Sequence, residues 1–154
     1  MPDHRTIIIG TGIAGVSAAA ALRSSGYDGV VVLIGDEPEL PYRRPPVSKE
    51  VIRGDKFADD IRIKKAQWYD DQDIDLRTGV AVTTIDTAIR SIRLDNDEPL
   101  LWDQLLIATG GRARSPWRAT GVRTLRSLAD VPRLRAELAG GGHGNTLMIR
   151  ATVS

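Results

Sequence analysis

The residues with the clearest chemical purpose are Gly10, Gly12 and Gly15, spaced Gly-x-Gly-x-x-Gly. They follow the apolar run Ile7-Ile8-Ile9 and precede a small-residue stretch from Val16 to Leu22. The order is strand, glycine turn, helix. In such a turn Gly10 permits the tight bend, Gly12 lets a diphosphate approach the backbone, and Gly15 lets helix and strand pack closely. The first amides of the helix lack intrahelical acceptors and face the positive end of its dipole, which suits phosphate oxygens. A second apolar run, Val30 to Ile34, ends in Gly35-Asp36-Glu37. It places an acidic residue about 21 positions past Gly15, where a ribose-binding carboxylate is expected.

These elements make the first βαβ unit of a dinucleotide-binding α/β fold. A turn with no ligand is the plain alternative, and the position of the acid weighs against it. The spacing predicts a strand over about 5–10, a helix over 13–25 and a strand over 30–34. The loop from Gly35 to Val47 holds Pro38, Pro41, Pro45 and Pro46, which exclude helix and central strand there. Ser48 is a suitable N-cap for a short helix. Lys64 to Gln72 is amphipathic. Short alternating runs follow at Ile74 to Leu76, Val80 to Ile85, Ile89 to Leu94 and Leu100 to Trp102, as in an antiparallel meander with one wet face. Leu105 to Ala108 is wholly apolar and reads as a buried parallel strand closed by Thr109-Gly110-Gly111. Arg112 to Val122 reads as a linker, Ala129 to Leu138 as a helix ended by Gly140 to Gly144, and Thr146 to Ile149 as a new strand.

Composition narrows the function. The 154 residues carry 21 basic and 20 acidic side chains, a net charge of +1 that argues against a dedicated nucleic-acid binder. Arginines do cluster between 112 and 135, opposed there only by Asp130; a solvated surface and a docking face for phosphates or an acidic protein both fit. The chain has no cysteine, so it holds neither a disulfide nor a thiol redox centre, which fits the cytoplasm. His4 and His143 are isolated, and no metal site is expected. Ile7 to Leu22 imitates a signal peptide, but its basic flank is thin and its glycines fit the nucleotide turn. No other segment approaches a membrane span.

Three segments in order resemble the FAD-dependent pyridine-nucleotide oxidoreductases, and within them the NAD(P)H:ferredoxin, rubredoxin and putidaredoxin reductases. They are Ile7 to Gly15, Leu40-Pro-Tyr-Arg-Arg-Pro-Pro-Val-Ser-Lys49, and Leu105-Leu-Ile-Ala-Thr-Gly-Gly-Arg112. The second is the most specific, being close to LPYxRPPLSK. The resemblance implies that Gly10, Gly12, Ala14 and Gly15 cradle the FAD diphosphate, and that Asp36 holds the adenosine ribose with Glu37 as the alternative. It places Arg44 and Lys49 close to FAD, Val82 against the adenine through its backbone, and Thr109, Gly110 and Arg126 along the cofactor at the crossing to the next domain. By residue type alone Lys49 is an ordinary surface lysine, Val82 is strand core, and Arg126 is a local cap or pairing partner. Arg43 departs from the acidic residue common at its position. Lacking the cysteines of glutathione-reductase-like members, the chain offers no dithiol relay, which leaves direct transfer from flavin to a small iron–sulfur protein.

The resemblance also sets an expected organisation. Residues 1–111 form the N-terminal part of an FAD-binding domain, 112–144 a linker and helix, and 145–154 the first strand of an NAD(P)H domain. The second glycine motif of the family is not among these residues, so little or no NAD(P)H turnover is expected from this chain alone. A truncated reductase is the leading expectation. A non-enzymatic nucleotide-binding or complementation module that needs a separate C-terminal half is the alternative. A simple NAD-binding domain is disfavoured by the proline-rich Leu40 to Lys49 segment.

Overall fold

The structure, a computed structural model, describes residues 4–113 and 123–139. Most of the expected linker at 112–122, the glycine stretch 140–144 and the strand at 146–149 lie outside the described residues.

Strand β1 (Arg5–Ile9) leads through the glycine turn into helix α1 (Ile13–Ser24) and on to β2 (Val30–Gly35). β1 and β2 pair in parallel with Ile7 opposite Val32. β3 (Ile74–Thr78) adds in parallel beyond β2, and β7 (Gln104–Ile107) adds in parallel on the other side of β1. The sheet order is therefore β3-β2-β1-β7. Between β3 and β7 the chain builds an antiparallel meander of β4 (Val82–Asp86), β5 (Ser91–Leu94) and β6 (Pro99–Leu101).

The apolar runs are continuous because the central strands are covered on both faces. Ile7, Ile9, Val32 and Ile34 pack against Ile92, Leu94 and Leu100 of the meander. On the opposite face Ile8, Val31 and Leu33 pack against Val16 and Ala19 of α1 and Tyr69 of α3 (Ala66–Asp71). A third cluster joins Tyr42, Val47, Val51 and Ile61 to Val131 of α4 (Asp130–Ala139).

Three expectations are corrected. Ile74 to Leu76 belongs to the parallel sheet, not the meander: β3 is an edge strand, and exposed Asp75 between buried Ile74 and half-buried Leu76 imitates a one-sided antiparallel strand. Leu105 to Ala108 does contain a parallel strand, but not a buried one. β7 lies at the sheet edge, and Leu106 and Ile107 are 41% and 60% exposed. Ser48 does not cap a helix. Pro45–Ser48 forms a 3-10 turn, with proline at its first positions where the missing N–H is harmless, and Lys49 caps α2 (Glu50–Arg53).

The buried Tyr69 hydroxyl has no hydrogen-bond partner among the described residues. Burial pushes its pKa up to about 12, so it stays a neutral, unpaired hydroxyl. Tyr69→Phe removes that desolvated group while keeping the ring, and should leave stability unchanged or raise it by up to about 1 kcal/mol in a urea titration.

Candidate nucleotide-binding site

β2 and β7 flank β1 on opposite sides, so the chain leaves the carboxyl ends of β1 and β7 at a point where the strand order reverses. That crevice is where open α/β sheets receive ligands. The three glycines meet there for different reasons. Gly10 has φ +115°, its amide donates to the Ile34 carbonyl at 2.7 Å, and a Cβ on it would overlap the Ala108 carbonyl oxygen and lie 2.9 Å from the Thr109 nitrogen. A Cβ on Gly15 would overlap the Gly10 carbonyl oxygen and lie 3.2 Å from Leu33 Cδ1. Gly12, the N-cap of α1, has ordinary extended angles (φ −75°, ψ −176°), and a Cβ there would meet nothing within 4 Å among the described residues.

The first intrahelical bond of α1 runs from the Val16 amide to the Gly12 carbonyl at 3.1 Å. The amides of Ile13, Ala14 and Gly15 precede it and have no acceptor within the helix. No side chain caps this end and no acidic residue lies in the first turn; Ile13 is 61% exposed and Ala14 is also exposed. The terminus offers several donors and a positive dipole end to the same open space beside Gly12.

The acidic pair after β2 divides into two states. Asp36 is exposed and makes no side-chain hydrogen bond among the described residues. Glu37 is engaged at both oxygens: the Tyr42 hydroxyl donates to Oε2 and Arg44 Nη2 donates to Oε1. Tyr42 is only 6% exposed, and its hydroxyl also accepts from the Leu128 amide at 3.1 Å and from Arg44 Nη1 at 3.3 Å. Burial, reinforced by the bond to Glu37, raises its pKa well above the ordinary phenol range, so it remains a donor. For Arg44 burial opposes the charge, but the Glu37 hydrogen bond and the negative groups around it, Asp36 included, outweigh that, and the guanidinium stays charged.

On the β7 side, Thr109 lines a cleft of about 340 Å³ together with Ile9, Val82, Thr84, Ile85 and Ile107. Gly110 has φ +68°, and its missing Cβ would lie 3.7 Å from Arg126 Nη2. The structure thus brings Thr109, Gly110 and Arg126 together, and Val82 to the same cleft as Thr109. Val82 also packs against the core beneath the meander. The Arg126 amide donates to Asp130 Oδ2 at 2.9 Å, which anchors the backbone beside α4. Lys49 is exposed, and its side chain makes no ion pair among the described residues. Tyr42, inside the Leu40 to Lys49 segment, has no signal in the local sequence that marks it as part of the site. Its partner Leu128 lies 86 positions away, a contact with no local signal in the sequence.

No helix among the described residues is long and apolar enough to cross a membrane. A family model described as pyridine nucleotide-disulphide oxidoreductase matches residues 4–149. The chain is 41% identical to the benzene 1,2-dioxygenase system ferredoxin–NAD(+) reductase subunit of Pseudomonas putida, over 92% of this chain and 37% of that protein. It is 35% identical to putidaredoxin reductase of Pseudomonas putida, over 88% of this chain and 34% of that one. The crystal structure of the covalent putidaredoxin reductase–putidaredoxin complex superposes with a TM-score of 0.81 at 34% identity, covering 88% of this chain and 34% of that chain. The chain therefore spans about a third of the length of these relatives. The family match over nearly all of its length, on a sheet that carries the glycine turn at its switch point, shows that the chain belongs to the pyridine nucleotide-disulphide oxidoreductase family.

Proposed function

We propose that residues 1–111 form the N-terminal part of the FAD-binding domain of a ferredoxin-reductase-type flavoprotein, which serves electron transfer from NAD(P)H to a small iron–sulfur protein. Residues 112–144 lead towards an NAD(P)H domain whose first strand is 145–154. The observation that carries this reading is Gly12. Its angles suit any residue, and beyond its chain neighbours no atom of the described residues lies within 4 Å of its missing Cβ, so the described fold gives no reason for glycine there. An approaching diphosphate does.

In this reading the amides of Ile13, Ala14 and Gly15 bind the diphosphate, and Gly10 and Gly15 hold the turn closed beneath it. Asp36 accepts from the ribose hydroxyls, since Glu37 is already engaged. Arg44 and Lys49 supply positive charge on the proline-rich side. Val82, Thr109, Gly110 and Arg126 line the far side. When bound, FAD supplies the hydride and single-electron chemistry that no side chain here provides, and the protein's part is to bind and orient it. No residue of the chain acts as a catalytic acid or base. The names of the relatives, which pair reductases with ferredoxin or putidaredoxin, support an iron–sulfur partner. The cysteine-free composition supports a cytoplasmic setting.

A visible absorption spectrum of the purified chain after soaking with FAD and desalting tests the reading. Flavin bands that elute with the protein are expected. A colourless, folded protein would contradict it.

A further inference from the structure

Glu37, Tyr42 and Arg44 form a closed array at the end of β2. Each Glu37 oxygen takes one donor, the Tyr42 hydroxyl or Arg44 Nη2. Arg44 Nη1 donates to the same Tyr42 hydroxyl, and its Cζ lies 5.5 Å from the centre of the Tyr42 ring. The ring is buried in the cluster with Val47, Val51, Ile61 and Val131, so the hydroxyl is fixed from behind. The Leu128 amide fixes it from a third direction. A guanidinium with two of its nitrogens directed this way has few rotamers left, although its side chain is still 36% exposed.

We propose that Tyr42 and Glu37 are positioning residues that act through Arg44, locking its guanidinium in one orientation towards the bound dinucleotide, and that Glu37 is not itself a ribose ligand. This rests on the FAD reading above, because the charge that the array holds in place is the one presented to the cofactor. Pre-ordering that arginine removes the entropy it would otherwise lose on binding. It also ties the orientation of Arg44 to the backbone at Leu128, and so to the segment that carries Arg126.

A double-mutant cycle tests the proposal, with FAD affinity of the full chain read by flavin fluorescence well below the melting temperature. Tyr42→Phe keeps the ring and deletes the hydroxyl; Glu37→Gln keeps the shape and deletes the charge. Each should weaken FAD binding about ten-fold, the scale of one charge-assisted hydrogen bond. Neither should weaken it further in an Arg44→Ala background, because both act through that side chain. Tyr42→Phe, which changes no charge, should also flatten the dependence of affinity on salt towards that of Arg44→Ala. A purely structural role would lower the melting temperature and leave the cycle additive. A Glu37→Gln effect that persists without Arg44 would make Glu37 a direct ligand and overturn the proposal while the FAD reading stands. If Tyr42→Phe fails to fold, the Glu37→Gln arm decides alone. A wild-type chain that is folded and leaves FAD wholly free overturns both readings.

Discussion

Gly15→Ala should strip the fold of a large share of its stability. The new methyl would sit on the Gly10 carbonyl oxygen, 3.1 Å from the carbonyl carbon and 3.2 Å from Leu33 Cδ1. Leu33 could turn aside, but the Gly10 carbonyl cannot. Gly10 is held at φ +115°, its amide is bonded to Ile34, and it lies directly under the Ala108 carbonyl. Relief would require α1 to move off the sheet, which uncovers Val16 and Ala19 and the face of Ile8 and Leu33 beneath them. Overpacking into flexible side chains typically costs 1–3 kcal/mol; against fixed backbone about 3–5 kcal/mol is expected. A small domain has only about 5–15 kcal/mol to lose. Circular dichroism melting should show a large fall or no cooperative transition. A melting temperature within a few degrees of wild type would contradict the packing described here.

Gly12→Ala should do the reverse, sparing the fold and damaging the site. Its Cβ meets no atom of the described residues within 4 Å, and its backbone angles suit alanine. Alanine is a distinctly poorer N-cap than glycine, so stability should fall by about 0.5–1 kcal/mol, well short of the Gly15→Ala loss. The methyl projects into the space beside the first amides of α1, where the diphosphate is proposed to sit. FAD affinity should drop by at least about ten-fold, or roughly 1.4 kcal/mol. Equal affinity for variant and wild type would remove the main support for the nucleotide reading. The two alanine variants, three residues apart, separate a glycine the fold needs from a glycine the ligand needs.

The parts of the fold that were legible are those in which a local pattern has a single structural solution. The run Ile7 to Ile9, the glycine turn and the run Val30 to Ile34 are such parts, because strands covered on both faces read as unbroken apolar stretches. Edge strands were harder. Asp75 between Ile74 and Leu76 gives β3 the alternation of a meander strand, and only pairing with β2 places it in the parallel sheet. The apolar run Leu105 to Ala108 promised burial, but burial depends on what lies beyond β7, which composition does not encode. Excluding all helix from the loop Gly35 to Val47 is too broad: prolines 45 and 46 bar an α-helix but fit a single 3-10 turn over Pro45–Ser48. In the candidate site the glycines and the acid after β2 were legible from spacing. That Glu37 is engaged while Asp36 is not depends on Tyr42 and Arg44 folding back, and the Tyr42 bond to Leu128 joins segments far apart in the chain. The placement of Arg126 beside Gly110 likewise needed the fold.

Binding of a dinucleotide through the glycine turn and the acid after β2 is tested by a calorimetric titration of the wild-type chain with FAD and, separately, with FMN, which carries the same flavin but lacks the second phosphate and the adenosine. One FAD per chain should bind saturably and FMN at least ten-fold more weakly, since FMN lacks the ribose that Asp36 accepts from and one of the two phosphates facing the amides of α1. Equal affinity for the two flavins, or no heat from FAD with a folded protein, would contradict this mode of binding.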